Sequence, residues 1–277
     1  MMAPAMGGEV DNVVTFSIPG SQRLRAMRLA VKNTVDLMRT TMQGHRVTRL
    51  TDFSACPRPV LLIYGFGATR RVFSVMEKRL RKDGFDVFSI NMGGVSDIVK
   101  TGDITWRAAF VARKIERLYQ RYAMGPLTII GHSEGGIIGR YYVQCLGGDR
   151  HVRTLITLAA PHRGTPTALI GAATIGLFAR NMFQLLPYSS LMRRLAQRPF
   201  PPHVNFVALY SDHDWMCPAR FARAVGPDGI EIARHYELKG IGHNDFLFKK
   251  APYKLIRKIL FGLPVDAGCA EPREEAG

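Results

Sequence analysis

A chain of 277 residues that is 47% hydrophobic and 22% charged carries enough apolar material for one sizeable core, and its composition requires no second domain. Lysine and arginine number 38 against 22 acidic residues, a formal charge of +16, which draws the surface toward anions without choosing among nucleic acid, lipid and protein. No RNA-binding motif or zinc-ligand spacing accompanies the scattered basic residues, so neither specific nucleic-acid binding nor a bound metal is expected.

Residues 1–57 read as an N-terminal extension. The residues before 21 are read as a mobile opening that lacks the basic start and long apolar stretch of a secretory signal. In "SQRLRAMRLAVKNTVDLMRTTMQ", residues 21–43, the positions of Leu24, Met27, Val31, Val35, Met38 and Met42 among Arg23, Arg25, Arg28, Lys32 and Arg39 predict a basic amphipathic helix. Its apolar stripe either packs on the body of the protein or docks on an anionic membrane surface. Cys56, Cys145, Cys217 and Cys269 have neither metal-like nor disulfide-like spacing, and no apolar run is long enough to span a bilayer. The expectation is a cytoplasmic protein, peripheral to the membrane if the helix docks there.

A regular alternation begins at residue 58 and defines a main domain over 58–262. "PVLLIYG" reads as a buried strand, "TRRVFSVMEKRLRKDG" as a helix stopped by Gly84, "FDVFSIN" as a strand and "ITWRAAFVARKIERLYQRYAMG" as a long helix. Then come a strand ending near His132, a helix from Glu134, and a strand in "VRTLITLAAP". Two more strands, "HVNFVALYS" and "IEIARHYEL", precede one closing helix over "NDFLFKKAPYKLIRKILFG". Strands alternating with helices predict an α/β fold, a mostly parallel sheet with helices on both faces and its sites at the carboxyl ends of the strands. Residues 165–200 break the alternation with an apolar helical insertion. It is either an ordinary packed segment or a cap whose Ile170, Ile175, Leu177, Phe178 and Phe183 line an acyl pocket. The tail, residues 263–277, is small, mostly acidic and expected to be disordered.

The chemistry starts at "GHSEGG". Ser133 lies between Gly131 and Gly135 on a strand-to-helix turn, the G-x-S-x-G arrangement in which small neighbours permit a strained turn that presents the hydroxyl. A serine hydroxyl is a weak nucleophile at neutral pH and needs a base, itself held by a third group. Downstream, Asp212 and Asp214 follow one strand and His243 follows the last. The order Ser, Asp, His, each beyond a strand end, is that of the α/β-hydrolase triad. His162 in "APHRGTP" is a rival base that would break the order, and His132 is expected to point into the sheet. Cys145 and Cys217 receive no catalytic role.

With "LLIYGFGATRRVF", "GHSEGG", "APHRGTP", "YSDHDWMCP" and "GIGHNDFLF" each following or closing a predicted strand, the chain resembles the α/β-hydrolase superfamily, and within it bacterial lipases and esterases of the triacylglycerol lipase type. The resemblance implies the α/β-hydrolase fold, with Ser133 as nucleophile, His243 as general base and Asp214, in "DWMCP", as the acid, with Asp212 the alternative. It implies oxyanion donors at the backbone N–H of Phe66 and of Glu134. Tyr64 departs from the family, where a histidine usually precedes the glycine, and so does Glu134. As the first residue of a helix, the Glu134 carboxylate is read as stabilised by the helix dipole, the alternative being a charge that disfavours anionic substrates. The implied activity is hydrolysis of carboxylic esters, acting on acyl lipids as a lipase or esterase, with no cofactor. An acyltransferase or thioesterase could run on the same residues, and a noncatalytic lipid-binding protein could share the fold.

Overall fold

The structure is a computed structural model and describes residues 14–16, 50, 52–66, 68–92, 103–168 and 180–265. The predicted basic helix over 21–43 and the tail beyond 265 lie outside the described residues, as does part of the insertion, residues 169–179.

Seven strands, β1 (Val14–Phe16), β2 (Pro59–Ile63), β3 (Asp86–Ser89), β4 (Leu127–His132), β5 (Val152–Leu158), β6 (Asn205–Ser211) and β7 (Arg234–Leu238), form one sheet in the order β1-β7-β6-β5-β4-β2-β3. Every neighbouring pair is parallel. The central strands bury apolar residues on both covered faces: Leu61, Ile129, Leu155 and Ile156 are all fully buried, and in register Leu61 faces Ile129 and Ile129 faces Leu155.

The helices are α1 (Ser74–Lys82), α2 (Ile104–Arg121), α3 (Glu134–Cys145), α4 (Arg180–Gln184), α5 (Ser190–Gln197), α6 (Ala219–Ala222), α7 (Asp245–Phe248) and α8 (Lys250–Leu260). In α2 the buried residues Ile104, Arg107, Ala108, Val111 and Ile115 recur at helical spacing, and Asp103 caps its start by accepting from the N–H of Trp106 at 2.7 Å, a contact that contributes about 1 kcal/mol. The chain steps from β2 outward to β3, then back past β2 to β4 and on to β5. Right-handed crossovers therefore place α1 on one face and α2 and α3 on the other. The contacts agree: Arg79 of α1 donates to the carbonyl of Lys249 at 3.0 Å, between α7 and α8, while Arg107 of α2 pairs with Glu134 of α3. Because connections leave β2 and β4 toward opposite faces, a crevice opens between their carboxyl ends, the place where open α/β sheets bind ligands.

Three details differ from the sequence reading. The opening read as mobile supplies β1, paired to β7 with Val14 opposite Tyr236 and Phe16 opposite Leu238. Too few residues are involved for a periodic signal. The strand expected from Ile230 begins at Arg234, because "GPDGI" closes a tight turn in which the N–H of Gly226 donates to the carbonyl of Ile230 at 2.8 Å. The single closing helix is two, broken at Lys249 with φ −66° and ψ 152°. A continuous helix would drive the ring of Pro252 against the carbonyl of Phe248, four residues earlier. The inserted segment is helical, as expected, with α4 and α5 in its described part.

Candidate active site

Ser133 ends β4 and precedes α3, and it sits at φ 55° and ψ −129°, a left-handed conformation that costs a non-glycine residue about 1–3 kcal/mol. The turn tolerates no bulk beside it. A Cβ on Gly131 would stand 2.6 Å from the carbonyl oxygen of Gly135, and one on Gly135 would overlap the carbonyl of Ile63 at the end of β2. Both glycines of the motif are therefore needed for backbone to lie on backbone. The loop leaving β2 presses on the same turn: the Cβ that Gly65 lacks would be 3.0 Å from the Cβ of Ser133 and 3.3 Å from the amide nitrogen of Glu134. Phe66 follows, half-buried against the core, so the two amides expected to act as oxyanion donors belong to segments in contact at this crevice.

Asp214 and His243 leave the carboxyl ends of β6 and β7. His243 Nδ1 donates to Asp214 Oδ2 at 2.8 Å, and both side chains are buried. The other carboxylate oxygen, Oδ1, accepts from the main-chain N–H of Met216 at 3.0 Å and of Cys217 at 2.9 Å. These bonds fix the plane of the carboxylate. With Nδ1 engaged, Nε2 is the nitrogen of His243 left to take up a proton. Asp212, the alternative acid, is exposed and bonded elsewhere, to His213 Nδ1 at 2.7 Å and to the N–H of Gly240 at 2.9 Å. Geometry separates two aspartates that the sequence leaves side by side.

His132 makes a contact beside the candidate site that the sequence reading did not foresee. It does not simply point into the sheet: its Nε2 donates to the carbonyl of His243 at 2.9 Å, and the two rings lie 4.8 Å apart. Burial, together with the His243 ring, pushes its pKa down to about 3, so the imidazole is neutral and the carbonyl partner places its proton on Nε2. The residue before the serine thus braces the loop that carries the histidine. His162 has a different setting, with Nε2 2.9 Å from the Thr157 hydroxyl, and burial holds its pKa well below the usual histidine value. The Cys217 thiol is likewise pushed up, by burial and then by Asp214, and burial raises Cys145. At Cys145 burial outweighs the pull of Arg198, Arg194 and Arg140, and Cys217 faces a carboxylate, so neither thiol is lowered toward a thiolate.

Glu134 stands in the first turn of α3, as expected, but the helix dipole is not its only partner. It is fully buried, and its Oε2 accepts from Arg107 Nη1 at 2.9 Å while its Oε1 accepts from Asn181 Nδ2 at 3.1 Å. The guanidinium cancels the charge that the alternative reading would have aimed at substrates. No sequence signal near "GHSEGG" points to Arg107 or Asn181, which lie on α2 and α4. Of the residues named for an acyl pocket, Ile170, Ile175, Leu177 and Phe178 fall outside the described residues, and Phe183 on α4 is 41% exposed. Tyr64, in place of the family's histidine, is buried, and its hydroxyl accepts from the N–H of Met92 at 3.5 Å.

Residues 58–184 match the family described as alpha/beta hydrolase fold. This chain has the α/β-hydrolase fold. Among solved structures, a Bacillus licheniformis lipase in mature form superposes with a TM-score of 0.59 at 15% identity, covering 77% of this chain and 96% of that one. An esterase from Exiguobacterium antarcticum gives 0.56 at 18%, covering 74% and 92%. A thermophilic esterase from Thermogutta terrifontis gives 0.51 at 17%, covering 76% and 91%. At such identities an α/β-hydrolase likeness speaks for the fold, and the chemistry must be argued from the site.

Proposed function

We propose that this protein is a serine hydrolase of carboxylic esters, with Ser133 as nucleophile, His243 as general base and Asp214 as the group that orients it. The observation that carries the reading is the buried Asp214–His243 pair at 2.8 Å, on the same sheet edge as a serine at φ 55°. Nε2 of His243 takes the proton of Ser133 as its oxygen attacks the ester carbonyl. The resulting oxyanion is held by the N–H groups of Phe66 and Glu134, each contributing about 3 kcal/mol to the transition state. His243 returns the proton to the departing alcohol, and water activated by the same imidazole then releases the acid.

An apolar acyl group suits the surroundings. Trp215 and Met216, beside Asp214, are 68% and 40% exposed, and the carbonyl of Met216 accepts from the hydroxyls of Thr165 and Thr167 at the start of the insertion. Exposed side chains of this kind next to a catalytic pair favour a hydrophobic substrate, which supports an acyl lipid or a long-chain ester over a polar one. No helix among the described residues is long and apolar enough to cross a membrane. Access to lipid would then rest on surface contact, for which the basic sequence at 21–43 is the candidate.

The test is a nitrophenyl ester series from acetyl to palmitoyl, with Ser133→Ala as the control. Turnover that rises with acyl length and vanishes in the variant is expected. Absence of turnover across the whole series would refute the ester-hydrolase reading.

A further inference from the structure

Glu134 holds two positions at once. Its main-chain N–H is the proposed oxyanion donor, while its side chain is clasped between two elements distant in sequence. Arg107 reaches it from α2 at 2.9 Å and Asn181 from α4 at 3.1 Å, and the Arg107 and Glu134 side chains are 1% and 0% exposed. A second contact joins the same two helices. Gln184, three residues after Asn181 and so on the same face of α4, accepts through Oε1 from the N–H of Ile104, the first residue of α2, at 2.7 Å. The inserted segment is therefore tied to the serine turn and to the start of the helix that carries Arg107.

Asn181 is 1% exposed, and its Oδ1 has no hydrogen-bond partner among the described residues. For packing alone, a leucine would fill similar volume without a buried oxygen lacking a partner. Among the described residues the side-chain amide makes one hydrogen bond, to Glu134. The sign of the charges matters as well. A carboxylate attached to the residue whose N–H receives the oxyanion would oppose the charge that develops there, unless a cation cancels it. Arg107 supplies that cation.

We infer that Arg107 and Asn181 are positioning residues for the proposed reaction: by clasping the Glu134 side chain they aim its main-chain N–H at the oxyanion, and α4 of the insertion thereby becomes part of the apparatus that accelerates acyl transfer. The inference rests on the serine-hydrolase reading above. It does not require the insertion to move.

The experiment uses the full chain, wild type and with Asn181→Leu or Asn181→Asp. It measures kcat and KM on nitrophenyl acetate from pH 5 to 9, rates being referred to the folded fraction from circular dichroism and melting curves. For Asn181→Leu we expect kcat to fall about tenfold or more with KM within about twofold of wild type, since the interaction lost is made through an oxyanion donor. In Asn181→Asp the new carboxyl faces Glu134, with Arg107 the cation on the other side of it. When protonated it donates as the amide does, and when ionised it repels. Its activity should match wild type most closely at the acid end and acquire a falling alkaline limb that wild type lacks. A structural role alone would lower the melting temperature without moving either the kcat-to-KM split or the pH profile. Unchanged kcat per folded molecule in Asn181→Leu, or an Asn181→Asp profile of wild-type shape, would overturn the inference and leave the hydrolase reading intact. A wild-type protein that neither turns over nor takes a fluorophosphonate label on Ser133 would overturn the reading itself, and the inference with it.

Discussion

Replacing Asp214 with Asn tests the assignment of the acid most sharply, because the structure dictates how the amide must sit. Oδ1 of Asp214 accepts from two main-chain N–H groups, those of Met216 and Cys217, at 3.0 and 2.9 Å. An asparagine there keeps its carbonyl oxygen toward those donors, since turning the amide would set NH2 against two N–H groups. Its NH2 then faces His243 Nδ1, which must accept, so the imidazole proton moves to Nε2. That is the nitrogen needed to receive the proton of Ser133. The expected loss in kcat is roughly ten-thousandfold, about 5 kcal/mol of transition-state stabilisation. KM should change little, because neither atom touches the substrate. The assay is nitrophenyl acetate hydrolysis at neutral pH, with a melting curve showing that the variant is folded. Asp212→Asn is the internal comparison and should retain activity within a few-fold, since Asp212 is exposed and bonds to His213 and Gly240 rather than to His243. A Asp214→Asn protein within tenfold of wild type, or a larger loss in Asp212→Asn, would refute the reasoning.

Three further outcomes follow from the same geometry. In Gly135→Ala, a solvent-facing helix glycine would gain about 1 kcal/mol from the change, but here the new methyl meets the carbonyl of Ile63, so a loss of about 3 kcal/mol in denaturant unfolding is expected, and any gain would contradict the contact. His132 has a folded pKa of about 3 against an ordinary value of 6.5, so the unfolded chain binds the extra proton between those values. Its contribution to stability is complete above pH 6.5 and is lost as pH falls toward 3. His132→Gln should therefore remove close to one proton from the pH slope of unfolding free energy in that window, and an unchanged slope would count against a neutral buried His132. For the basic segment, replacing Arg23, Arg25, Arg28 and Lys32 with Gln should weaken sedimentation with anionic vesicles at low salt and leave acetyl-ester hydrolysis unchanged; equal vesicle binding would remove the membrane reading. Substitution suits this test better than truncation from the N-terminus, which would also delete β1 and uncover the edge of β7.

The local content of the sequence was sufficient for the alternation of strands and helices, because burial on both faces of a parallel sheet leaves unbroken apolar runs such as "PVLLI" and "LTII" that need no partner to be recognised. It also marked Ser133, since a serine between two glycines after such a run reflects a steric demand made within a few residues of chain. His243 and the pair Asp212 and Asp214 could be named for the same reason, each standing just past a strand. Choosing Asp214 over Asp212 by geometry needed the tertiary structure, because the choice depends on which carboxylate meets a loop about thirty residues away. β1 was invisible because Val14–Phe16 is extended only by virtue of its partner β7. The clasp on Glu134 was equally hidden. Arg107 and Asn181 lie on separate helices, and one reads as an ordinary basic residue of an amphipathic helix and the other as a polar residue of an apolar insertion. Only chain folding brings a buried cation and an amide to the same carboxylate, and a local pattern cannot encode a contact whose members are set by how helices pack.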